Sequence, residues 1–159
     1  MNKQIYLAIG TRLQKNIAAL KWIGYDFGQL DVAYSSTDRP PVVFPCVLID
    51  ISYPNTTDMN AQSGDQKQKV SAQIILKVAF NPLSDRSNMG APDVDRLLSL
   101  SPLDTVADIH ATLQAWNGST DTTSALFRQL SRSRAVPVPR PDGIKLYEIT
   151  YDTTFIDIP

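Results

Sequence analysis

Few side chains in this sequence are equipped for chemistry. It carries one histidine, His110, and one cysteine, Cys46. A serine or cysteine nucleophile needs a base within hydrogen-bond reach, so His110 is the one imidazole on offer, and no Gly-x-Ser-x-Gly elbow is present. There is also no GxxxxGK[ST] loop, no GxGxxG following a strand and no HExxH helix. A zinc site would have to lean on carboxylates, and their spacings do not suggest one. Asp50, Asp152 and Asp157 lie on or beside apolar, β-branched stretches and could in principle pair as acid and base. An Asp on a strand is more commonly the surface-facing member of the pattern. Cys46 sits in VVFPCVLIDI, where a lone cysteine is expected as a small buried hydrophobe. His110 falls one residue after a core position of a helical stripe and reads as a surface or half-buried histidine. The expectation is a protein that is not an enzyme and uses no cofactor and no metal.

Bulk composition narrows the partners. Charged residues make up 19% and hydrophobic residues 43% of 159 residues, and the net charge is −1. A chain of this length is expected to form one domain, residues 1–159, burying roughly 70% of its unfolded surface. No overall field recruits nucleic acid or a membrane, and no stretch approaches the ~18 apolar residues of a membrane span. The start lacks a signal peptide's continuous apolar region, so synthesis and residence in the cytoplasm are expected. Charge is nevertheless uneven. Lys3, Arg12, Lys15 and Lys21 open the chain without an acid, Asp85, Asp93, Asp95, Asp104 and Asp108 make an acidic middle, and Arg128, Arg132, Arg134 and Arg140 cluster late. Opposed patches of this kind suit self-association or a specific protein partner, or simply a solvated surface.

The elements that must position these residues centre on residues 69–80, KVSAQIILKVAF. Val70, Ala72, Ile74, Leu76, Val78 and Phe80 alternate with Lys69, Ser71, Gln73 and Lys77, the period of a strand with one covered face. Residues 42–53 make a second strand, apolar on both faces, with Pro45 marking an edge, a start or a bulge. Residues 144–156 make the last, with Tyr147, Ile149, Tyr151, Thr153 and Phe155 on one side. A helix is expected over residues 3–21 from Ile5, Ile9, Leu13, Ile17 and Leu20, with Gly24 as its stop. WIGYDFGQLDVAY has room for a short strand, and Trp22, Tyr25 and Phe27 read as core packing or as an aromatic platform. Ser101-Pro102 looks like the N-cap and first turn of a second helix running to about Trp116, after at most a helical turn at Val94, Leu97 and Leu98. SALFRQLSRSR fits a strand or a helix, and AVPVPRPDG an extended edge path ending in an Asp142-Gly143 turn. Residues 54–66 and 81–93 read as long polar loops, candidates for ordering against a partner. The fold class is therefore α+β: a mixed, mainly antiparallel sheet of about four strands, flanked by an N-terminal helix and a second helix near 102–116.

This order of elements, carried by FPCVLIDI, QKVSAQIILKVAF, DTVADIHATLQAWNG, SALFRQLSRSR and LYEITYDTTFID, resembles the tail terminator or tail completion proteins of long-tailed bacteriophages. It extends from Ile5 to Asp157; the VPVPRPDG linker and the proline-rich approach to the first main strand depart from it. The resemblance implies a structural virion protein of the tail, assembled in the host bacterial cytoplasm. Its partners would be copies of itself in a ring of six, the tail-tube protein below and a head-neck connector above. Heterologous head-to-tail contacts between opposite charges close into such rings, and the polar face of residues 69–80 could line a lumen. The candidate interface residues are Asp58 and Asp65 in the first long loop, Asp85 and Arg86 in the second, and Arg128, Arg132 and Arg134. The alternatives are a head-closure or neck adaptor, and a small-ligand-binding or enzymatic α+β domain with a pocket under its sheet.

Overall fold

The computed structural model describes residues 2–30, 40–59, 67–81, 86–121 and 123–158. In chain order its elements are α1 (Asn2–Asn16), β1 (Trp22–Tyr25), β2 (Cys46–Met59), β3 (Lys67–Phe80), α2 (Asp93–Leu113), β4 (Ser131–Val138) and β5 (Lys145–Asp157). The strands form one sheet in the order β1-β2-β3-β5-β4. β1 runs parallel to β2, and the other neighbours are antiparallel. The α+β class is as expected, with five strands rather than about four. The fifth is WIGY, too short to show a period of its own and held by pairing from Trp22↔Cys46 to Tyr25↔Ile49.

β3 lies at the centre, paired along its length with β2 and β5. Its even residues from Val70 to Phe80 are buried beneath the helices, and Ser71, Gln73, Ile75 and Lys77 face the other way, half-buried. Ile5, Ile9 and Leu13 of α1 and Ile109 and Leu113 of α2 cover the first face, meeting Val47, Ile49, Ile149 and Tyr151. The opposite face is covered only at one end. There Leu30, Cys46, Leu48, Ala79, Ile144 and Leu146 form a smaller core, closed by Arg140, which bonds both the Leu30 carbonyl and Asp142. This second layer explains why the first half of β2 is apolar on both faces. Burial there pushes the Cys46 thiol up to about 11, the inert buried cysteine its surroundings predict.

Four boundaries differ from the sequence expectation. α1 ends at Asn16, not near residue 21, because Lys21 N–H already bonds the Pro45 carbonyl at 2.8 Å and leads into the sheet. Gly24, expected as a helix stop, lies in β1, where the Trp22 indole folds across it: an added Cβ would meet Trp22 Nε1 at 2.9 Å. The polar stretch 54–66 is not all loop. β2 and β3 extend to Met59↔Lys67, past an irregularity between Ser52 and Asn55. Both faces there are exposed, so no alternation announces a strand; cross-strand pairing to β3 supplies its backbone bonds. Finally, α2 begins at Asp93, and Pro102 lies buried inside it. A proline in a helix leaves the carbonyl four residues earlier without its N–H partner; here Ser101 Oγ donates to that Leu98 carbonyl at 2.8 Å. The pair that reads as a helix start instead carries the helix through.

Candidate interaction surface

Of the seven candidate interface residues, the five that are described do not gather in one place. Asp65 and Asp85 lie outside the described residues. Asp58 is on the exposed end of β2, where it accepts a hydrogen bond from Gln68 Nε2 across the hairpin at 2.7 Å. Arg86 pairs with Asp95 in the first turn of α2 at 2.9 Å. Arg128 belongs to no strand. Its N–H donates to the Thr154 carbonyl at 2.8 Å and its carbonyl accepts from Thr153 Oγ1, which pins residues 127–130 along β5. SALFRQLSRSR, which fits a strand or a helix by sequence, is neither from Ser124 to Leu130. Phe127 and Leu130 are buried as loop residues, and the strand starts at Ser131.

Arg132 and Arg134 would share a face in a regular strand. A register shift at Ser133 separates them: Arg132 pairs with Tyr151 and Arg134 with Thr150, which point to opposite faces of β5. Such a bulge re-aims the side chains beyond it. Arg132 is left on the helix side, beside the His110 and Tyr151 rings, which stack at 6.5 Å. Burial, then the Arg132 charge, holds the His110 imidazole below its usual value, and burial pushes Tyr151 up to about 12. Arg134 reaches Glu148 on the other face at 3.7 Å. Arg128 and Arg132 form no ion pair with a described residue.

That other face of the sheet is polar and linked by its own contacts. Lys77 pairs with Asp26 at 2.9 Å, both well covered, Gln73 Nε2 donates to Asp152 at 3.0 Å, and Glu148 meets Arg134. Asp50 and Asp152 stand on β2 and β5 with β3 between them, so they are no acid–base pair. Among the described residues, no group of three or more His, Cys, Asp or Glu is placed to hold a metal ion, and no helix is long and apolar enough to cross a membrane. A groove of about 470 Å³ runs beside Arg128, lined by Pro54, Gln73, Gln129, Asp152 and Thr154.

Two features were missed at the level of sequence. One is the first half of α2, whose Val94, Leu97 and Leu98 are 70%, 66% and 63% exposed. Their spacing signalled a helical turn, but Pro102 concealed its continuity with the rest of the helix. The other is a groove of about 440 Å³ between α1 and β1, lined by Leu7, Gly10, Gln14, Leu20, Trp22 and Ile23. No local pattern marks it, since it arises where β1 docks beneath α1. Trp22, Tyr25 and Phe27 do not form one platform: Tyr25 stacks edge-on between Tyr6 and Phe27, and Trp22 lines the groove.

No protein-family model matches the chain, and no curated protein matches it. Its fold does match a solved chain described as part of the virion of a native gene transfer agent (GTA) particle. The TM-score is 0.55 and the identity 9%, over 96% of this chain and 95% of that one. The two chains are alike in fold across their whole lengths.

Proposed function

We propose that this chain is a structural subunit of a phage-like virion, and more narrowly a tail terminator: one segment of a six-membered ring that caps the tail tube, stops its growth and meets the head-neck connector. It works by shape and transforms no substrate. The observation that carries this reading is the end-to-end agreement of fold with a chain of a gene transfer agent virion, the same class of particle that the order of sequence elements resembles. The chemistry of the surface is compatible. The ion-paired outer face of β3 and β5 suits the wall of a polar lumen.

The test is to add the purified protein to polymerising tail-tube protein and image the product by negative-stain electron microscopy. Rings at tube ends and shortened tubes are the expected result. A chain that stays monomeric and leaves tube ends bare overturns the proposal. Retention of the head-neck protein alone in a pull-down would move the assignment to a neck adaptor.

A further inference from the structure

Resting on that ring reading, two surfaces of the subunit are considered as sides of one contact: the exposed half of α2 and the α1–β1 groove. Packing of α2 stops at its middle: Thr105, Ile109 and Leu113 are buried, while Val94, Leu97, Leu98 and Leu103 are exposed. Leu97, Ser101, Asp104 and Asp108 follow one another at helical spacing, which places them along one side of the helix. Asp93 and Asp95 are already paired with Arg96 and Arg86, whereas Asp104 and Asp108 are exposed and form no ion pair with a described residue. This element thus offers apolar knobs followed by two uncompensated carboxylates.

The groove offers the complement. α1 has no acidic residue; Lys3 lies one turn before Leu7, Lys21 lines the groove, and neither side chain forms an ion pair with a described residue. Between Leu7 and Gln14 the helix surface is notched at Gly10. Glycine within a helix is destabilising relative to alanine, and nothing among the described residues demands it here: an added Cβ would meet Ile23 Cγ2 at 3.8 Å, an ordinary contact. The missing side chain leaves room for something from outside. The two features also lie toward opposite edges of the sheet. α1 packs over β1 and β2, and α2 packs over β5 and β4 through His110–Tyr151 and Gln114–Arg132.

We propose that the groove between α1 and β1 receives the first half of α2 from a second copy of this chain. Leu97 and Leu98 seat at the notch over Gly10, and Asp104 and Asp108 face the groove-side lysines Lys3 and Lys21. Because knob and groove are different surfaces on the same subunit, the contact is head-to-tail and propagates around a ring.

The experiment uses the full chain, alone and with tail-tube protein. Light scattering after gel filtration compares wild type with Leu97→Asp and Gly10→Gln. Leu97 is exposed and glutamine is the better helix former, so both variants should fold, with Gly10→Gln melting no lower than wild type. Each is expected to weaken self-association about tenfold or more. Single variants Leu7→Cys and Leu97→Cys are then oxidised; Cys46 is fully buried and stays out of the reaction. Covalent dimers are expected only when the two variants are mixed. Wild-type assembly with unchanged assembly of both Leu97→Asp and Gly10→Gln and no mixed cross-link overturns this contact and leaves the ring reading standing. Cross-linking of Leu97→Cys to itself overturns the head-to-tail geometry. A wild-type chain that neither self-associates nor binds tube ends overturns both.

Discussion

At the scale of single residues, the structure holds several groups in states that their types alone do not reveal. His110 Nδ1 and Tyr151 Oη are buried without a hydrogen-bond partner among the described residues, and the imidazole is held below its usual value by burial and Arg132. The folded state therefore binds a proton less readily than the unfolded chain. The stability this neutral His110 supports is complete above its ordinary value near 6.5 and is lost as pH falls below it. Urea midpoints should drop between about pH 7.5 and about pH 5, and His110→Phe should flatten that part of the profile. Gly118 shows a second constraint. Its φ is +80°, and a Cβ there would lie 2.9 Å from Phe127 Cε1 and 3.0 Å from Leu126 Cβ. Gly118→Ala is expected to cost about 1–3 kcal/mol, read as a lowered Tm, since strain and overlap act together. The sequence marks Asn117-Gly118 as a helix end; in the structure the helix stops at Leu113, and Gly118 serves the turn that seats Phe127.

Secondary-structure elements are not uniformly committed to the fold, and α2 is the clearest case. Its second half covers the sheet, whereas its fully buried residues begin only at Pro102 and the first half contributes none. Truncating the two halves should have opposite consequences. Ile109→Ala removes a fully buried side chain and is expected to destabilise by about 2–5 kcal/mol. Leu97→Ala should leave stability within about 0.5 kcal/mol of wild type. Chemical denaturation of both variants checks the contrast. The end of the β2–β3 hairpin makes the same point for strands: residues 54–59 are exposed on both faces and are held by ladder bonds to β3. In both cases the local composition looks like loop or surface because these residues are exposed on the described structure.

For the whole molecule, a near-neutral net charge conceals separated patches, so association, if it follows those patches, is sensitive to single reversals. Arg128 is exposed, and the segment that carries it is held by backbone bonds to β5 that do not involve its guanidinium. Arg128→Glu should therefore leave the unfolding free energy within about 0.5 kcal/mol of wild type while abolishing ring formation in light scattering. Normal assembly of this variant would remove Arg128 from the interface. Raising salt should weaken assembly of the wild type by screening the same charges.

Sequence alone determined those parts of the molecule where one chain segment reports its own burial. The alternation in β3, the stripe of α1 and the aromatic, β-branched run of β5 each follow from a covered face and an open one, and these supplied the α+β class. Tertiary structure decided the rest. It set the length of α2 through a proline whose freed carbonyl is rescued by its neighbour. It sent Arg132 and Arg134 to opposite faces through one extra residue in a ladder, and it made the groove beside Gly10 by docking β1 under α1. Each of these depends on contacts between segments far apart in the chain, and periodicity within one segment carries no record of them.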